Sequence, residues 1–168
     1  MLIYHPAFDI YNCAFRLLIL TSRMKLDVVE VERLRIWDFY LVFPGEVQHI
    51  SFPSDLVSLK RIFKSDPNPY EDLIDSRRIF NRMKPYQIAA MRYLASYDLF
   101  DSNELLNNNI KRTSKEIPSD LASRMTDLTD QQENVIKLVT SPLNDLPLYG
   151  PHGFKSRTKL IEFKYDAI

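Results

Sequence analysis

By type and spacing, the residues of this chain best suited to chemistry are His5, Asp9 and Cys13, which lie within YHPAFDIYNCAFRLLIL at positions 4–20 and span about two and a half helical turns. Cys13 is the only cysteine, and a thiol with an imidazole base at hand is a nucleophile. The pattern around the three residues argues for a different role. Pro6 suits the first position of a helix, where its fixed φ and missing N–H cost nothing, and His5 then falls in the capping slot. From there Ile10, Cys13, Ala14, Leu17, Leu18 and Thr21 follow the i, i+3, i+4 spacing of one buried stripe. Cys13 belongs to that stripe, where a cysteine behaves as a small inert hydrophobe.

No other constellation replaces it. His5, His49 and His152 are far apart, and a single cysteine cannot anchor zinc. The three glycines, Gly45, Gly150 and Gly153, all stand near turns, so no glycine-rich phosphate loop can form. The sequence has no Gly-x-Ser-x-Gly elbow, His-x-Glu or Cys-x-x-Cys signature. Its carboxylates are numerous but scattered, most of them beside a basic residue. The expectation is a protein that is not an enzyme and holds no cofactor or metal.

The 168 residues suit one domain, or one domain with an N-terminal extension, that buries a core without disulfides or a structural metal. With 22 basic and 22 acidic residues the net charge is zero, which weighs against unaided binding to nucleic acid. The N-terminus shows no basic region followed by a small-residue cleavage site, and with one cysteine this leads us to expect a cytoplasmic protein. The longest apolar runs, AFRLLIL and IWDFYLVF, fall short of the roughly 18 residues a bilayer needs, and each contains a charge. No membrane association is expected.

The elements that frame these residues can be read in order. DVVEVERLRIWDFYLVFPGEV predicts a helix from Val28 to Phe43, with Asp27 and Glu30 as an acidic capping box and Pro44-Gly45 as its stop. Ile36 to Phe43 is apolar nearly all round and must be covered on every side. Two readings fit. The helix is a central one with Asp38 paired to Arg35, or another subunit covers it with Trp37 and Tyr40 as anchors. Ser54 caps a third helix with Leu56, Leu59 and Phe63 inward, and SDPNPYED then breaks the pattern. Arg77, Arg78, Arg82 and Lys84 read as a solvated helix face.

From Pro85 the sequence predicts a new helix with Ile88, Met91 and Leu94 or Ala95 inward. A short helix capped by Ser119 follows, and then a helix opened by a Thr129–Gln132 capping box with Val135, Ile136, Leu138 and Val139 buried. Two extended runs around Gly-Pro-His-Gly come last, with Ile161, Phe163 and Tyr165 alternating as in a half-buried strand. The fold class expected is mainly α with a small C-terminal β-hairpin, an α+β arrangement of N-terminal helices and a winged-helix-like C-terminal half. The organisation expected is a helical docking region at 1–65, a loop and connecting helix at 66–84, and the winged-helix-like region at 85–168, together one compact unit.

In a winged helix, the wing and the recognition helix face one ligand. Lys155, Arg157 and Lys159 alternate along the proposed wing strand, and Lys111 and Arg112 precede the short helix, so these five are the candidates for contact with double-stranded DNA. The helix at 130–140 carries Asp130 and Glu133 against Lys137 alone, a poor reader of DNA. That balance favours a protein-docking module, with a winged-helix transcription regulator as the alternative.

The opening YHPAFDIYNCAFRLLIL, together with VERLRIWDFYLVFPGEV and the closing GPHGFKSRTKLIEF, resembles the small middle component of bacterial ABC-three-component systems, a family that includes the accessory subunit of Lamassu anti-phage and anti-plasmid defence. The resemblance implies a non-catalytic adaptor that joins an SMC-like ABC ATPase to an effector, often a nuclease, with any DNA contact made inside the complex. The residues expected to bind a partner are Tyr4, His5, Phe8, Trp37, Phe39 and Tyr40.

Overall fold

His5 and Asp9 act as two successive caps. In the computed structural model, which describes residues 4–63 and 75–162, His5 Nδ1 accepts the Ala7 N–H at 3.1 Å and opens a 3-10 turn over Pro6–Phe8. Asp9 Oδ1 then accepts the Asn12 N–H at 2.7 Å and caps α1 (Ile10–Arg23). The predicted stripe is buried at Cys13, Ala14, Leu17, Leu18 and Thr21, while Ile10, in the exposed first turn, is not.

The segment after α1 corrects the expectation of one long helix. Val28–Glu30 is a short strand, β1, and α2 covers Val31–Val42. β1 pairs antiparallel with β2 (Asn109–Lys111), placing Val29 opposite Ile110. The β-branched pair Val28-Val29 favours the pleated conformation. Glu30 stands at the cap of α2 but makes no capping bond, because its carboxylate is taken by Arg33 Nε at 2.8 Å. α2 ends where expected, at Phe43, and a 3-10 helix over Pro44–His49 follows.

α2 lies at the centre. It contacts α1, α3 (Ser76–Ser96) and α6 (Asp130–Thr140), and α1 packs along α3. Trp37 and Phe39 are 0% exposed and Tyr40 2%. Full burial of such a side chain contributes about 1.5–3 kcal/mol. The helix is therefore covered by the chain's own elements, and the expectation that a partner covers Trp37, Phe39 and Tyr40 is corrected. Phe63 is buried at the end of a 3-10 helix, Val57–Phe63, that stands where a third α-helix was expected.

α3 runs without a break through Pro85, so the helix expected to begin there begins at Ser76 instead, capped by Asp75. Pro85 and Asn81, whose carbonyl loses its N–H partner, are both exposed, which lets solvent satisfy the carbonyl. The boundary expected between residues 84 and 85 thus falls inside one helix. The SDPNPYED break lies outside the described residues.

α4 (Ser102–Leu106) and α5 (Ser119–Arg124) are short surface helices. α6 opens with the predicted capping box, Gln132 N–H on Thr129 Oγ1 at 3.2 Å and Thr129 N–H on Gln132 Oε1 at 2.9 Å, and buries the predicted Val135, Ile136, Leu138 and Val139.

The C-terminal hairpin is a further correction. Gly-Pro-His-Gly does turn the chain, with Gly150 at φ +93°, but a helix, α7 (Phe154–Thr158), follows. Phe154 and Thr158, one turn apart, are both buried, so this segment has helical and not alternating periodicity. Phe163 and Tyr165 lie outside the described residues. Among the described residues the β structure is the β1–β2 pair and a single bridge between Phe100 and Arg112, which leaves a mainly helical α+β fold. Among them, too, no helix is long and apolar enough to cross a membrane.

Candidate docking surface

The fold separates the three residues that opened the sequence. Cys13 is buried, its Sγ 3.7 Å from Asp38 Oδ2. Burial, and then the Asp38 charge, push its thiol far above the ordinary range, the reverse of what a nucleophile needs. Asp38 is held by Arg16, not Arg35: Arg16 Nε and Nη2 reach its two oxygens at 2.5 and 3.2 Å. Gln87 Nε2 donates to the same carboxylate at 2.9 Å, while Gln87 Oε1 accepts from Arg35 Nε at 2.9 Å. Arg35 lies over the Phe80 ring at 4.4 Å, and burial lowers its pKa to about 10. This cluster pins α1, α2 and α3 together and presents no reactive group to solvent. Among the described residues, no three His, Cys, Asp or Glu side chains gather as a metal site would require.

The N-terminal candidates are at the surface. Tyr4 is 65% exposed, and its hydroxyl meets the side-chain amide of Asn12. His5 is stacked on Phe43, centroids 5.6 Å apart. Phe8 is half-buried between the Tyr86 ring and the Arg82 guanidinium, which sits 4.6 Å from its centroid.

The basic candidates do not share one strand face. Lys155 is buried in α7, its Nζ 3.1 Å from Glu32 Oε2. Arg157 is bound to two carbonyls, Nε to His152 at 2.8 Å and Nη1 to Ser51 at 2.9 Å. Arg112 is half-buried with Nε on the Leu99 carbonyl at 3.2 Å, and burial lowers its pKa. Lys111 on β2 and Lys159 past α7 are exposed.

A groove that no sequence expectation named lies between α1, α3 and α5. It encloses about 500 Å³. Tyr11 of α1 meets Tyr93 of α3 edge to face at 5.6 Å and 88°, and Tyr93 leans on Tyr97 at 4.9 Å. A hydrogen bond with Tyr97 is the main reason the Tyr93 phenol is held above its ordinary value. Tyr11 and Tyr97 are 70% and 54% exposed. Leu121 and Arg124 of α5 form the far wall, with the guanidinium 5.6 Å from the Phe15 centroid. Asn12, which binds Tyr4, lines the same groove. Rigid aromatic surface with hydroxyls at its rim is the composition of protein-binding surfaces. The sequence does carry a signal: Tyr93 and Tyr97 are spaced four apart, on one face of a helix.

The family model described as "ABC-three component (ABC-3C) system Middle Component 5" matches residues 2–166 of the chain. No curated protein and no solved structure matches it.

Proposed function

On the premise that this chain belongs to the middle component 5 family of ABC-three-component systems, we propose that it is a non-catalytic adaptor, joining the SMC-like ABC ATPase of its system to an effector such as a nuclease in defence against phage or plasmid DNA. The observation that carries this reading is the tyrosine groove. Tyr11 and Tyr97 expose large aromatic surface on a chain that has already buried Trp37, Phe39 and Tyr40 in its own core. An aromatic groove of this kind supplies anchor pockets to a partner. The N-terminal turn extends the same surface through Tyr4 and Asn12, with His5 and Phe8 beside them.

Of the basic candidates, Lys111 and Lys159 remain the ones to meet DNA, within the assembled complex in the cytoplasm. Lys155, Arg157 and Arg112 would first have to give up the contacts described above.

The test is co-expression of the three components with and without this chain, followed by size-exclusion chromatography. The ATPase and effector are expected to co-elute only when the chain is present. Full association in its absence would overturn the adaptor reading.

A further inference from the structure

A second groove, of about 470 Å³, is formed by the C-terminal end of α1, the 3-10 helix Val57–Phe63 and α6. Its apolar strip is Leu59, Ile62 and Phe63, with Ile62 56% exposed. Its charged lining residues are Arg23, Lys25 and Lys137, and among the described residues no carboxylate lines it. Glu133 neutralises Arg23 through contacts of 3.1 and 3.2 Å. Lys25 Nζ donates to the Ser141 hydroxyl at 2.7 Å, a neutral partner, and Lys137 is exposed. Helix-end electrostatics accounts for cations in the last turns of α1 and α6. It does not account for an exposed isoleucine and an apolar strip set among them.

We propose that this groove docks an acidic amphipathic segment of a partner protein, with apolar side chains seated on Leu59 and Ile62 and carboxylates paired to Lys25 and Lys137. Charge complementarity identifies the occupant: the two ammonium groups lack a carboxylate among the described residues, and an acidic segment supplies it where desolvation by the apolar contact strengthens the pair. A nucleic acid backbone would satisfy the cations but leave the apolar strip against phosphate and sugar, so a protein segment fits better. The groove shares no lining residue with the tyrosine groove, and the proposal stands or falls independently of the role given to that surface.

Overlapping 15-residue peptides that tile the other two components of the system are the probe, titrated against the full-length chain by fluorescence anisotropy. The expected binders are net acidic with apolar residues at helical or alternating spacing. Their affinity should fall at least tenfold in Lys25→Glu/Lys137→Glu and in Ile62→Asp, all at exposed positions that leave the fold intact, and should be unchanged in Tyr97→Glu. Absence of any acidic binding peptide, or acidic peptides that bind both groove variants as tightly as the wild type, would overturn the proposal. So would duplex DNA of 20 base pairs whose binding is abolished by Lys25→Glu/Lys137→Glu while Ile62→Asp leaves it intact.

Discussion

Arg16 of α1 forks onto Asp38 of α2 in the core, Nε 2.5 Å from Oδ1 and Nη2 3.2 Å from Oδ2. The remaining Nη1 reaches the Pro6 carbonyl at 2.9 Å, so one guanidinium ties the N-terminal turn and two helices together. Asp38 is fully buried and Arg16 nearly so. Removing the carboxylate strands the cation. Asp38→Ala is expected to cost about 3–5 kcal/mol in urea unfolding, whereas replacing both partners, Arg16→Met with Asp38→Leu, should cost less because the Arg16 charge leaves together with its partner. A loss below about 1 kcal/mol in the single variant would mean that the pair does not hold the helices.

The same pair shows what spacing along a chain reveals and what it conceals. Local devices were legible: the Thr129–Gln132 capping box, the stop at Pro44-Gly45 and the buried stripe of α1 each depend on residues within a turn of one another. Asp38's partner was not, because Arg16 lies 22 residues away on another helix and is closer in space than the sequence neighbour Arg35 can indicate. Lys155, Arg157 and Lys159 alternate as a strand would, yet tertiary burial of Phe154 and Thr158 selects a helix. The tyrosine groove takes walls from three elements, and no single stretch of sequence contains it.

Cys13 should resist modification. Burial and the neighbouring Asp38 carboxylate both disfavour its thiolate, and the thiolate is the reactive species. Treatment of the native protein with a thiol-specific disulfide reagent at pH 8 should give no rapid reaction, and full reaction on addition of denaturant. Stoichiometric labelling of native protein within minutes would contradict the burial described.

His5 gives a pH dependence of defined sign. Burial, and then the Arg16 charge, hold its imidazole below the ordinary value of 6.5. As the pH falls through 6.5, the unfolded chain takes up a proton that the folded chain refuses, so the contribution of His5 is complete above 6.5 and lost as the pH drops through the folded-state pKa. Thermal melts from about pH 7 to about pH 5 should show this slope in the wild type and a shallower one in His5→Asn, which retains a capping side chain. Equal slopes would remove His5 as the cause.

Gly153 tests the placement of α7. A Cβ there would stand 2.2 Å from the Tyr149 carbonyl oxygen, whereas one at Gly45 would meet nothing within 4 Å. Gly153→Ala should therefore cost about 2 kcal/mol or more and Gly45→Ala within about 0.5 kcal/mol of zero, measured by chemical denaturation. Equal effects at the two sites would contradict the close turn before α7.

The adaptor role rests on the tyrosine groove, and Tyr11→Glu/Tyr97→Glu addresses it at two exposed positions whose rings touch Tyr93. The decisive measurement is the affinity of the purified double variant for each of the other two components of its system, beside its melting temperature. The account predicts a melting temperature like that of the wild type and at least a tenfold loss of affinity for one component, because two buried carboxylates would face apolar partner side chains. Wild-type affinity for both components in a folded double variant would contradict it.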